Sequence, residues 1–176
     1  MKILGTTINN RLDWNDNCKN LISKVNKRMV FLRKILSFGA NQSEMVQLWK
    51  TYCRSVLEQS AVVWQGMLTK ENREDLERTQ KTFTKLILKK RYTSYEESLI
   101  KLNLQTLESR RDQLCLKWAL NCRKNEKTKH IFPLNKKKHN YELRKISKYM
   151  VQNANTDRLK KSPVIYMQNL LNKKHT

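Results

Sequence analysis

Three glycines and two prolines in 176 residues leave room for few tight turns and argue against a turn-rich sheet fold. Helix formers (Leu, Lys, Arg, Glu, Gln, Met) dominate instead, which points to a mostly α body. Acids are scarce as well: fifteen Asp and Glu face thirty-seven Lys and Arg, a net charge of +22. No apolar run approaches the roughly 20 residues needed to span a bilayer, so a membrane-embedded role is not expected. Gly-rich phosphate loops, nucleophile elbows and a strand-borne Asp-Asp pair are all missing. All three histidines (His130, His139, His175) lie in the polar last third, where solvation is the ordinary fate. Cys115 and Cys122 could be joined to His130 and His139 as zinc ligands. Their six, seven and eight intervening residues do not give the close ligand pairs of zinc sites. The chain is therefore not expected to be an enzyme on its own or to hold a cofactor. Its four scattered cysteines, without a signal peptide, read as reduced thiols of an intracellular protein, nuclear or cytoplasmic and not secreted.

A field of +22 attracts polyanions, because Lys and Arg on phosphates release condensed counterions. Nucleic acid is the leading partner, an anionic membrane surface the second, and a merely solvated basic surface the bland alternative.

Lys2 to Ile8 are β-branched and apolar and end at Asn9-Asn10, which predicts one short strand. No second strand run follows, so this strand is expected to be an orphan cut from something larger. Asp13 or Asn15 caps the next helix, striped by Trp14, Cys18, Leu21, Ile22, Val25, Met29, Leu32 and Ile35. Its opposite face carries Lys19, Lys24, Lys27, Arg28 and Lys34, and Gly39 is placed for a left-handed stop.

The densest apolar stretch comes next. Asn41-Gln42-Ser43-Glu44 has capping-box spacing, and one helix is expected from there to about Gly66. Its stripe is Met45, Trp49, Tyr52, Val56 and Val63, with Leu48, Cys53 and Leu57 alongside; Lys50 and Arg54 share the remaining face. Thr69 caps a helix to about Lys89 whose acids come first and bases last, with Leu76, Thr79, Gln80, Phe83, Leu86 and Ile87 inward. Ser94-Tyr95-Glu96-Glu97 starts a short helix through Leu102. Thr106 caps another with Leu107, Arg111, Leu114, Cys115, Trp118, Ala119 and Cys122 near one face. Trp49, Trp64 and Trp118 are expected in the core rather than stacked on bases.

From Arg123 on, fifteen Lys and Arg meet three acids, so +12 of the +22 sits in the last third. Apolar residues there lack a period, and Arg123 to about Asn153 reads as a basic, weakly ordered tail before a short amphipathic helix, Val164 to Leu171. The expected fold class is mostly α: a short N-terminal strand, a bundle of about five helices, and the tail.

These segments resemble, in order, the C-terminal region of non-LTR retrotransposon reverse transcriptases, LINE-type elements near the jockey group. Leu4-Gly5-Thr6-Thr7-Ile8 with Leu12-Asp13-Trp14 is similar to the strand that ends the palm and enters the thumb. Tyr52 to Trp64 is similar to the thumb helix, and Leu76 to Phe83 and Leu104 to Arg111 resemble later blocks. Asn155-Thr156-Asp157-Arg158-Leu159, Ser162-Pro163 and Leu170-Leu171-Asn172 resemble the family's end. The chain departs where Ile3 and Asn9 stand in place of an aromatic and an acid.

The resemblance implies three parts: 1–10, a strand from the end of the palm; 11–123, a thumb-like helical domain; and 124–176, a basic C-terminal extension. The polymerase's metal-binding aspartates would belong to a palm absent from this sequence, so none is carried over, although the parent polymerase would use magnesium. It implies a truncated polymerase fragment that holds RNA, DNA or their hybrid without copying it. Lys24, Lys27, Arg28, Lys34, Lys50 and Arg54 are the expected phosphate contacts, with Lys136, Lys137 and Lys138 in the tail. The alternatives are a basic helical protein-interaction module or a pseudogene product without function.

Overall fold

A computed structural model describes residues 1–11, 13–135 and 147–174. It is mostly α, and its contacts gather into two units. The first holds Met1–Ala61 and Leu68–Arg110; the second holds Val62–Met67 and the described residues from Arg111 onward.

The N-terminus corrects the expectation of an orphan strand. β1 (Lys2–Ile3) and β2 (Thr6–Thr7) pair antiparallel, Lys2 opposite Thr7 and Ile3 opposite Thr6. Leu4 and Gly5 both adopt positive φ (47° and 81°), the backbone of a two-residue hairpin turn that follows strand twist. Met1 and Ile8 close the open end with an Ile8 N to Met1 O bond of 2.8 Å. The hairpin is anchored by Thr7 N donating to Asn17 Oδ1 (3.1 Å) and Gln59 Nε2 donating to the Leu4 carbonyl (2.8 Å).

α1 (Asn15–Ser37) buries Trp14, Cys18, Leu21, Val25, Met29 and Leu32 at three- and four-residue steps. Its first turn has no side-chain N-cap; Asp13 Oδ1 accepts from Asn15 N just outside it. Gly39 (φ 92°) ends the run. Asn41 then makes the full capping box with Glu44, opening α2 (Gln42–Leu48).

The long helix expected through Gly66 is not continuous. Trp49–Arg54 winds as a π-turn, α3 (Ser55–Glu58) follows, and the chain breaks at Gln59 (ψ 124°) and Ser60 (φ 53°) before α4 (Ala61–Trp64) and a 3₁₀ turn (Gln65–Met67). Two hydroxyls bond back within this stretch. Thr51 Oγ1 donates to the Gln47 carbonyl (2.9 Å) and Ser55 Oγ to the Thr51 carbonyl (2.6 Å), competing for acceptors one helical turn back. An i→i+5 ladder holds more residues per turn, so the buried stripe runs every four residues: Met45, Trp49, Cys53, Leu57. Tyr52 and Val63, expected on that stripe, are turned out to solvent.

α5 (Lys70–Leu88), capped by Thr69, packs on α1 and α6 (Tyr95–Lys101), the latter capped by Ser94. It buries Leu76, Phe83 and Ile87, with Phe83 stacked on Trp49 at 4.5 Å. Gln80 is fully buried and satisfied: it accepts from Trp49 Nε1 (3.1 Å) and donates to Tyr95 Oη (3.0 Å) and the Gln105 carbonyl (2.8 Å). Glu77 completes this network, accepting from the Tyr95 hydroxyl and from Leu107 N, 3.1 Å from each carboxylate oxygen.

α7 (Leu107–Lys124) starts in the first unit and supplies the second from Arg111 on. In that unit Cys115, Ala119, Cys122, Phe132, Tyr149, Met167 and Leu171 form a core. Residues expected in a weakly ordered tail therefore build structure: Asn135 N bonds the Lys148 carbonyl (2.9 Å), and Met150 N the Pro133 carbonyl (3.0 Å). Asn172 clamps the Tyr149 backbone at both its N–H and its carbonyl. After α8 (Asp157–Lys160) the last helix, α9 (Pro163–Lys173), begins on Pro163, whose missing N–H suits a first turn. Arg111 is fully buried, its Nε donating to Gln65 Oε1 (2.6 Å) and its guanidinium over the Trp64 ring. Trp118, expected in the core, is 40% exposed and meets Phe132 edge-on.

Candidate nucleic-acid interface

The cations of α1 are the candidate contacts. A helix turns about 100° per residue, so Lys19, Lys24, Lys27, Arg28 and Lys34 cannot all occupy one face. They spread over about half the circumference, Lys19 at one edge, Arg28 at the other, and Lys24, Lys27 and Lys34 between them. Lys19 and Lys27 line a groove of about 730 Å³ against α5, whose wall supplies Asp75, Arg78 and Thr82. Asp75 is paired with Arg78 at 2.8 Å. Ser23 and Asn26 add polar groups to the floor.

At the other edge Arg28 reaches the π-turn. Its guanidinium donates to the Tyr52 carbonyl and lies over the Tyr52 ring, 4.4 Å from the centroid. Phe31, one turn further, meets the same ring edge-on at 5.8 Å. Lys24 is half-buried beside this cluster's helical row, and Lys27 and Lys34 are exposed. Among the described residues no carboxylate lies within ion-pair distance of Lys24, Lys27, Lys34 or Lys50. After Asp16, α1 has no acid at all.

Arg54 differs from the expectation of an outward-facing cation. Its side chain is 17% exposed and sits 3.3 Å from Glu58, which also takes Arg110 at 3.1 Å. Burial lowers the Arg54 pKa, Glu58 draws it back up, and Arg110 pushes it down again. The π-turn explains the position, since it rotates Arg54 inward relative to Lys50. Arg54 is thereby committed to Glu58. Lys136, Lys137 and Lys138 lie outside the described residues.

Sequence reasoning did not single out Phe31 and Tyr52 as surface groups. A signal for Phe31 was present, because it falls between Arg28 and Lys34 and off the apolar stripe. The basic rim of the second unit went unremarked as well. There Gln113, Lys117, Asn121, Lys124 and Lys174 surround a groove of about 470 Å³ floored by Leu116 and Leu120, with no carboxylate in its lining.

No family model, curated protein or solved structure matches the chain. Among the described residues no trio of His, Cys, Asp or Glu is placed to hold a metal ion, and no helix is long and apolar enough to cross a membrane. All four cysteines are buried and unbridged. Burial raises the Cys53 thiol to about 11, with Arg28 opposing, and the Cys115 thiol to about 12. Neither is prepared for nucleophilic chemistry at neutral pH, which needs a lowered thiol pKa. What the arrangement can do is hold an anion-rich ligand along α1.

Proposed function

We propose that this chain is a nucleic-acid-binding piece of a retrotransposon-type reverse transcriptase, corresponding to the thumb and C-terminal region that its sequence resembles. The observation that carries the binding half is the run Lys24, Lys27, Arg28 and Lys34 on an α1 free of acids after Asp16. Cations with no carboxylate to neutralise them keep their counterions until a polyanion replaces those ions, which makes phosphate contact favourable by ion release. The polymerase half rests on the ordered sequence resemblance alone. In this reading the chain holds duplex or strand and does not copy it, because the polymerase's metal-binding aspartates have no counterpart here.

Binding of a labelled RNA–DNA hybrid, followed by fluorescence anisotropy across a salt series, tests the reading. Affinity is expected to fall steeply as salt rises. No binding at low salt, or binding indifferent to salt, removes it. Primer extension with magnesium is expected to give no product; synthesis that an Asp or Glu substitution abolishes would overturn the non-enzymatic part.

A further inference from the structure

We propose that the Arg28–Phe31–Tyr52 flank of α1 takes an unpaired nucleic-acid strand, its bases stacking on the exposed rings while Lys24, Lys27 and Lys34 meet the phosphates. The proposal rests on the nucleic-acid reading above and specifies its substrate.

Phe31 is 49% and Tyr52 40% exposed, large rings left at the surface. They form one platform, since their rings meet at 5.8 Å and 66°. Arg28 is fixed on it twice, by its bond to the Tyr52 carbonyl and by its place over the ring. A guanidinium held over an aromatic ring offers a base a second contact surface and loses little freedom on binding. The two segments that build the platform carry Lys24, Lys27, Lys34 and Lys50, with no acid between Asp16 and Glu44 or between Met45 and Leu57. Lys27 and Lys34 bracket Phe31 seven residues apart, about 10 Å along the axis, which spans roughly three phosphates of a stacked strand. An apolar protein partner would not need those lysines. A duplex would meet them but not the rings, because its base faces are already stacked on each other. An unpaired strand uses both, as aromatic and basic grooves for single strands do.

The test compares two labelled probes, an RNA of about twelve nucleotides without self-complementarity and the same RNA paired to its DNA complement. Phe31→Ala, Phe31→Leu and Phe31→Trp are measured beside the unaltered chain, with circular dichroism melts to confirm folding. Phe31→Ala is expected to weaken the unpaired probe about tenfold or more with an unchanged salt slope, and to leave the hybrid within about twofold. Phe31→Leu keeps the apolar volume without a π face and should behave like Ala, whereas Phe31→Trp should match or exceed the unaltered chain. Leu equal to Phe, no effect on either probe, or equal loss on both would overturn the stacking proposal while leaving phosphate binding intact; the face would then suit an apolar protein partner. If the unaltered chain binds neither probe at low salt, the nucleic-acid reading itself fails.

Discussion

Glu77 ties three segments of the first unit together, so replacing it by Gln should cost far more than an ordinary helix-surface change. The carboxylate accepts the Tyr95 hydroxyl and stands 3.1 Å from Leu107 N with both oxygens, at the start of α7. Gln keeps the shape and one acceptor oxygen but puts an NH₂ where the second acceptor was. It also removes a negative charge from a helix N-terminus. Hydrogen bonds to a charged group contribute about 1.5–3 kcal/mol and the charge at the dipole about 0.3–1 kcal/mol. With one acceptor retained, the expected loss is about 2 kcal/mol. Tyr95→Phe removes a hydroxyl that both donates to Glu77 and accepts from Gln80; burial, reinforced by Glu77, raises that phenol's pKa, so it is neutral and able to donate. It should cost about 1 kcal/mol, and the double variant less than the sum, because the two share a bond. Urea denaturation followed by circular dichroism reads all three. A Glu77→Gln variant within about 0.5 kcal/mol of the unaltered chain, the range of indifferent surface substitutions, would refute the network's role.

Gly5→Ala should destabilise by about 1–3 kcal/mol, because left-handed backbone strain is joined by displacement of the Gln59 amide from the Leu4 carbonyl. The new Cβ would stand 2.5 Å from Gln59 Nε2 at a φ of 81°. Gly39→Ala, at φ 92° with open space around it, should cost less, and equal losses in urea titrations would contradict the packing at Gly5. The thiols should resist a colorimetric disulfide reagent at pH 8 until denaturant is added; rapid reaction of any thiol in the native protein would contradict their burial. Cys53 is raised from 9.0 to about 11 in the fold, so the unfolded chain loses its proton first and stability declines as pH rises from near 9 toward 11. Cys53→Ser should shrink that alkaline decline, measured as the pH dependence of the urea midpoint.

Local signals were readable in the sequence because their causes are local. The capping roles of Asn41, Thr69, Ser94 and Thr106 each need only a short polar side chain three residues before an N–H. The α1 and α5 stripes follow from helical period. Features that break local rules were hidden. Leu4 and Ser60 take positive φ without glycine, so the break after α3 had no usual marker and the hairpin turn only half of one, Gly5. The π-turn from Trp49 to Arg54 has no marker in the sequence, and along it Tyr52 is exposed while Arg54 pairs with Glu58. In the second unit, single apolar residues such as Phe132 and Tyr149 fill a core without any period to announce them. The interface was half legible: charge marked α1, but the pairing of Arg54 with Glu58 and the Phe31–Tyr52 platform required three dimensions.

If α1 binds phosphate, the dependence of affinity on salt must change when its lysines are neutralised. Lys24→Gln, Lys27→Gln and Lys34→Gln combined should reduce the log–log slope for the RNA–DNA hybrid by about 2–3, near 0.9 for each lost phosphate contact. A triple variant with unchanged slope and affinity would place the binding elsewhere on the chain and contradict the account.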